Sequence, residues 1–351
     1  MLQCLSPSKR LLPALLAMSS LAWVFGCTVG PDYVKPRMDV PSRWSEATAS
    51  EAASGPADVA RWWTLFQDPR LDVLIDQAVQ SNNDLKLAEA RVREARALRG
   101  VVAADAYPDL TASGSYRRIR RSERSSPSAS AASSSSVGNL SGSNTQDLFD
   151  AGFDASWEID VFGGIRRSVE AADADIGASE ENLRDVLVSL LAEVARNYLQ
   201  LRGDQLRLSI AAENIRAQQQ TLELTQARYD AGLSNELDVA QAKAQLAGTE
   251  AQVPRLESSA RQAIHQLGVL LGKDPGALLA ELSEQAPLPF GPPEVPVGLP
   301  SELLRRRPDV RRAEPELAAA TARSGVATAD LFPKFSLTGA LGLRIVNCSD
   351  I

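Results

Sequence analysis

From Phe149 to Val161 hydrophobic and polar positions alternate without a break. Phe149, Ala151, Phe153, Ala155, Trp157, Ile159 and Val161 fall on one side; Asp150, Gly152, Asp154, Ser156, Glu158 and Asp160 fall on the other. Successive side chains of a β-strand point to opposite faces, so this segment reads as a strand with one apolar and one acidic face. At about 3.3 Å per residue it reaches roughly 43 Å, about twice an ordinary strand. Shorter alternations predict two more strands, near 109–117 (Leu110, Ala112, Gly114, Tyr116) and 334–343 (Phe335, Leu337, Gly339, Leu341, Leu343).

Elsewhere the period lengthens to that of helices. Leu71, Leu74, Ile75 and Ala78 form one stripe, opened by Asp68 and Pro69, an N-cap followed by proline in the first turn. "SNND" (81–84) interrupts it, and Leu85, Ala88, Val92, Ala95 and Val102 resume it before Pro108. After Gly164, Leu187, Val194, Leu201, Leu208, Ile215, Leu222 and Tyr229 follow one another at seven-residue intervals, which predicts a coiled-coil seam. The companion positions Leu191, Tyr198, Gln205, Ala212, Gln219 and Gln226 begin apolar and turn polar, so water is expected along part of the seam. "YDAGLSNELDV" (229–239) reverses the chain: Gly232 suits a left-handed cap, Ser234 or Asn235 an N-cap, and Asp238 a first helical turn. Val239, Leu246, Val253, Ala260 and Leu267 carry the heptad back, with Pro254 predicting a kink. A continuous helix over 165–230 would be about 100 Å long, and helices over 84–105 and 235–271, about 33 Å and 55 Å, would fit end to end beside it. The expected shape is a column.

The chain also repeats itself at an offset of 225. "DLKLAEARVREARALRGVVAADAYPDLTASG" (84–114) matches "DVRRAEPELAAATARSGVATADLFPKFSLTG" (309–339) at, among others, Ala88/Ala313, Ala95/Ala320, Gly100/Gly325, Asp105/Asp330 and Pro108/Pro333. One structural unit is used twice. Its order is helix, strand, loop, strand, long helix, return helix. The second copy stops after its first strand, at "RIVNCSDI", and the expectation is a product truncated in its second repeat, with three strands and no stable channel of its own.

Composition narrows the function. Hydrophobic residues make up 44% and aromatics 5%, a balance suited to helices packed along their length. Formal net charge is −7, or −9 once Lys9 and Arg10 are removed, which argues against nucleic acid as a partner. Three cysteines (Cys4, Cys27, Cys348) and one histidine, His265, exclude a disulfide framework and a clustered metal site. No catalytic residue, metal or cofactor is expected. "GVLLGKD" (268–274) falls one residue short of a phosphate loop, and Asp274 stands where a magnesium-binding hydroxyl is required. Arg117, Arg118, Arg120, Arg121 and Arg124 precede a serine-rich stretch that reads as a solvated loop.

Residues 9–27 combine a basic start, an apolar run too short for a comfortable transmembrane helix, and Gly26 before Cys27, the proportions of a bacterial lipoprotein signal. Cleavage between Gly26 and Cys27 would leave Cys27 to be lipidated. Thr28 does not specify inner-membrane retention, so sorting to the outer membrane is expected.

Several stretches together, "GCTVGPDYVKP", "WWTLFQDPRLDVLIDQAV", "NNDLKLAEARV", "FDASWEIDVFGGIRRSVEAA", "ARNYLQLRG", "RYDAGLSNELDVAQAKAQL" and "GLPSELLRRRPDVRRAE", resemble the outer membrane factor family, the TolC-like ducts of bacterial efflux systems, in their NodT-type lipoprotein branch. The resemblance runs from Cys27 to about Leu343. It implies a mainly α protein with membrane β: antiparallel coiled-coil helices in a periplasmic α-barrel, and strands pooled by a homotrimer into one transmembrane β-barrel. It further implies an exit duct exporting small molecules such as drugs, in outer-membrane lipid, with a periplasmic adaptor and an RND-type inner-membrane pump as partners. Asp150, Asp154, Glu158 and Asp160 would line the lumen, and Gly232, Leu233, Ser234 and Asp238 would form the hairpin tip that meets the adaptor. The segments expected are a signal peptide (1–26), an acylated extended segment (27–60), first-repeat helices (61–107), a membrane β-hairpin (108–162), a long helical hairpin (163–272), a Pro-rich linker (273–300) and the start of the second repeat (301–351). A duct for protein secretion and a structural coiled-coil lipoprotein remain as alternatives.

Overall fold

The computed structural model describes residues 28–37, 59–120, 145–291 and 304–348. Its contacts divide the chain into two units, one of residues 1–34, 96–174 and 317–351, the other of residues 35–95 and 175–316. The elements are a 3-10 segment Val59–Phe66, α1 (Pro69–Ser81), α2 (Asn83–Ala104), β1 (Asp109–Arg120), β2 (Thr145–Ile159), α3 (Gly164–Asp230), α4 (Glu236–Glu250), α5 (Val253–Leu270), a single turn α6 (Leu279–Leu282), α7 (Pro308–Ala329) and β3 (Phe335–Cys348). No helix among the described residues is long and apolar enough to cross a membrane.

The second unit is built on helix ends that satisfy one another. Asp68 caps α1, its Oδ1 accepting from the backbone N–H of Arg70 at 2.8 Å and of Leu71 at 3.4 Å, which supplies partners for donors a helix start leaves open. Tyr198 donates its hydroxyl to the other Asp68 oxygen at 2.6 Å, tying the cap to α3. Asn82 serves three helices: its N–H bonds Ala78 O at the end of α1, its Oδ1 accepts from Leu85 N in α2, and its Nδ2 donates to Leu270 O at the end of α5. Ser81 Oγ reaches Leu271 O at 2.6 Å. Gly272 has φ +63, and a Cβ there would stand 2.6 Å from Ser81 O, so the close approach requires glycine. The start of α2 thus abuts the end of α5, as the end-to-end fit of helix lengths anticipated.

Leu71, Leu74, Ile75 and Ala78 of α1 are all buried, with Val194, Tyr198 and Leu201 of α3 and Ile264 and Leu267 of α5. Trp63 joins this core, packed edge-on against Trp62. Gln205, expected on the watery side of the seam, is instead buried. Its Nε2 donates to Leu282 O at 2.8 Å and Glu284 O at 3.3 Å, while Arg202 Nη1 donates to Glu284 O and to Gln205 Oε1. Backbone carbonyls of the segment after α5 supply the partners that water would have given. Asp204 is buried one residue earlier and accepts from Ser259 Oγ of α5 at 2.6 Å and Gln200 Nε2 at 3.0 Å. The kink expected at Pro254 is a break between α4 and α5, with Pro254 in the first turn of α5. His265 rests its Nδ1 on the Pro275 carbonyl at 2.9 Å.

The first unit contains the sheet, in the order β1-β2-β3 and antiparallel throughout. α2 and α7 are both 22 residues long, with bounds that coincide at the repeat offset. All three strands differ in their limits from the sequence expectation, β1 running on to Arg120. β2 runs from Thr145 to Ile159, because Val161 N–H bonds Ile159 O at 2.9 Å and turns the chain. Asp160 therefore lies beyond the strand. β3 continues to Cys348 because β2 offers ladder partners as far as Gln146.

Candidate functional site

The register of the sheet sorts its residues by chemistry. Directly opposed residues share a face, so the rows Tyr116–Phe149–Ile345, Gly114–Ala151–Leu343, Ala112–Phe153–Leu341, Leu110–Ala155–Gly339, Trp157–Leu337 and Ile159–Phe335 form one apolar surface. Beyond Phe149 the next row on that side holds Arg118 and Asp147, which end it. From Phe149 to Ile159 the surface runs about 33 Å along the strand, or about 25 Å once tilted as in membrane barrels. Leu341 and Leu343 are 79% and 76% exposed in the single chain. Tyr116 stacks at 4.9 Å on Phe149 and donates to Asp147 at 3.0 Å. Trp157 donates its indole N–H to Ala106 O at 3.0 Å.

The opposite face carries Ser115–Asp150–Arg344, Ser113–Gly152–Gly342, Thr111–Asp154–Ala340, Asp109–Ser156–Thr338 and Glu158–Ser336. Its glycines are crowded. A Cβ at Gly152 would stand 3.2 Å from Leu341 O, and one at Gly342 would stand 3.3 Å from Ala151 O. On the apolar face a Cβ at Gly339 would meet nothing within 4 Å. At this row the opposed glycines let the backbones of β2 and β3 lie close.

Of the four acids singled out in the sequence, Asp150, Asp154 and Glu158 share this polar face. Asp150 is paired there with Arg344 at 2.5 Å, a partner that could be found only from the register of β2 on β3. Asp160 is a correction. Its Oδ2 accepts from Arg166 N–H at 3.0 Å and from Arg166 Nε at 3.2 Å, so it caps the start of α3 and does not belong to the strand's acidic row.

At the far turn of the helical hairpin, Gly232 has φ +74 and Leu233 N–H closes the end of α3 on Arg228 O. Asn235 and Asp238 form a reciprocal capping box. Gly232 and Asp238 therefore shape the turn, Ser234 Oγ has no hydrogen-bond partner, and Leu233 is an exposed side chain free for contact. Leu237, also exposed, was missed, although an apolar residue in a polar cap was its signal.

Cys27 and Gly26 lie outside the described residues. The segment that follows them is held by a residue the sequence reading did not single out. Arg167, 4% exposed, donates Nε to Val29 O at 3.2 Å, Nη2 to Gly30 O at 3.4 Å and to Asp32 at 2.6 Å, and Nη1 to Glu170 at 2.8 Å. The hydrogen bonds to Asp32 and Glu170 hold its guanidinium above the usual arginine value.

Residues 74–273 match the family described as outer membrane efflux protein. The chain is 33% identical over 316 residues to nodulation protein T of Rhizobium leguminosarum bv. trifolii, covering 90% of this chain and 64% of that protein. It is 35% identical over 332 residues to the pyoverdine export outer membrane protein OpmQ of Pseudomonas aeruginosa, covering 93% and 67%. The solved outer-membrane channel OprN superposes with a TM-score of 0.73 at 39% identity, covering 92% of this chain and 73% of that one. The chain thus spans just under two thirds of the length of nodulation protein T. It belongs to the outer membrane efflux protein family.

Proposed function

We propose that the chain forms part of the outer-membrane exit duct of a tripartite efflux pump, passing small molecules such as drugs out of the cell without making or breaking a bond. The observation that carries this reading is the register that gives the sheet one apolar face and one polar face. A sheet that is apolar on one side, over about 25 Å, and polar on the other has the two faces of a membrane barrel wall. Asp150, Asp154 and Glu158 then face the lumen, with Arg344 offsetting the charge of Asp150. In a full-length relative, three copies pool their strands to close the barrel. The exposed turn around Leu233 and Leu237 meets a periplasmic adaptor, which links the duct to an RND-type inner-membrane pump. Cys27, freed from a signal peptide of residues 1–26, carries the lipid that anchors the N-terminus.

Membrane fractions of the full-length gene product, run unheated and heated in detergent gels, test the reading. A heat-labile trimer band, together with restored drug efflux in a strain lacking its duct, is the expected result. Recovery in the soluble fraction with no heat-dependent shift would overturn it.

A further inference from the structure

The N-terminal arm is held too firmly to be a loose tether. Val29 N–H bonds Phe162 O at 3.1 Å, and a Cβ at Gly163 would stand 2.9 Å from Thr28 Cα. Phe162 stacks on Phe332 at 4.7 Å, so the arm begins four residues past the last apolar row of β2. Gly30, at φ +93, lies so close to α7 that a Cβ there would stand 2.5 Å from Gly325 Cα. Arg167 passes over the same glycine, with its Cδ and Nε 3.0 Å from where a Gly325 Cβ would be. Gly100, the repeat equivalent of Gly325, has nothing within 4 Å of such a Cβ. The two copies of the repeat therefore differ at this point, and only the second is roofed by the arm. Burying a guanidinium is costly unless its donors are satisfied. Here two arm carbonyls and two carboxylates satisfy it, a geometry that lysine cannot reproduce.

We propose that Arg167 is the buckle of a lipid tether: it fixes an acylated Cys27 at the foot of the sheet, so that the acyl chains enter the leaflet crossed by the apolar face of the same protomer. The proposal rests on the reading of Cys27 as the lipidated residue. With the buckle closed, Thr28 is held against Gly163, and the anchor has a reach of one residue, about 3.8 Å. With it open, the arm as far as residue 34 lets the anchor stray by about 25 Å.

The test is to grow cells on a diazirine-bearing palmitate analogue, irradiate the membranes, and map cross-links from the acyl chain to its own protein. In the unaltered chain, cross-links should concentrate on residues 157–165 and 331–337. Arg167→Gln should lose most of them, and Arg167→Lys should retain only part. Asp32→Asn, at an exposed position that does not threaten folding, should weaken them while leaving the buried arginine in place. Hydrogen exchange at the Val29 amide should quicken at least roughly tenfold in Arg167→Gln, which strips the arm of its charge-assisted hydrogen bonds, with exchange around Tyr198 unchanged. Labelled chains whose cross-links are the same in all variants would overturn the buckle and leave the lipidation intact. Absence of label in the unaltered chain would overturn the lipidation, and the buckle with it.

Discussion

α3 has two halves that carry the same heptad and do different things. Between residues 187 and 205 the helix buries Leu190, Leu191, Val194, Ala195, Tyr198 and Leu201 against α1 and α5. Beyond Ala211 none of its described residues is buried, Leu224 is 63% exposed, and α4 answers with Val239 alone. A seven-residue period declares that a seam exists; what fills it depends on neighbours. In the near half those neighbours are helices of the same chain, capped into place by Asp68 and Asn82. In the far half Gln219 and Gln226 stand where leucines would be, and one return helix leaves the stripe open. The far half is thus an open surface among the described residues, the one that the proposed assembly would cover.

The sharpest way to break this comparison is to truncate the same residue type in each half. Leu201→Ala should cost about 2–5 kcal/mol, the loss of a buried leucine with its cavity, whereas Leu224→Ala should fall within about 0.5 kcal/mol. Equal shifts in denaturant midpoint, measured on the detergent-purified chain, would erase the distinction.

A smaller effect is expected from the polar tie between α3 and α5. Asp204→Ala leaves Ser259 and Gln200 without their acceptor and should cost about 1–3 kcal/mol. An unchanged midpoint would mean that Asp204 holds nothing.

Tyr198→Phe should cost about 1 kcal/mol by removing the bond to Asp68, and it has a pH signature. Burial first, then the bond to Asp68, hold the Tyr198 phenol above its ordinary value. The neutral phenol therefore contributes fully below the unfolded value near pH 10 and loses its contribution as pH rises through the folded value. The alkaline decline in stability should be shallower in Tyr198→Phe, as followed by circular dichroism at rising pH.

The smallest effect on stability belongs to the tip. Leu233→Asp should change unfolding by less than about 0.5 kcal/mol, yet abolish cross-linking to the adaptor. Cross-linking that survives the substitution would remove Leu233 from the docking surface.

The sequence disclosed what depends on local pattern. Alternation revealed the three strands, Asp68 and Pro69 marked the start of α1, and Gly232 with Ser234 or Asn235 marked the hairpin turn, the structure choosing Asn235 as the cap. The offset between α2 and α7 was visible residue by residue. What escaped was set by partners distant in the chain. Gln205 read as a watery position because the carbonyls of Leu282 and Glu284 lie 77 and 79 residues away. Asp160 read as one more acid in a regular alternation, since nothing local announces the turn at Val161. Arg167 sat inside a recognisable motif, but its ligands are on an arm 135 residues earlier.

The outer edge of β1 has no strand beside it among the described residues, and it presents 12 residues of backbone. Open edges recruit strands indiscriminately, and hydrocarbon penalises every bare amide by several kcal/mol. A newly made copy therefore faces a race. In the proposed assembly, until edges of separate copies find one another at the membrane, the long greasy surface beside that edge is equally available to any misdirected strand. Slow, dilute production should favour the productive pairing, and a burst of synthesis should favour aggregates.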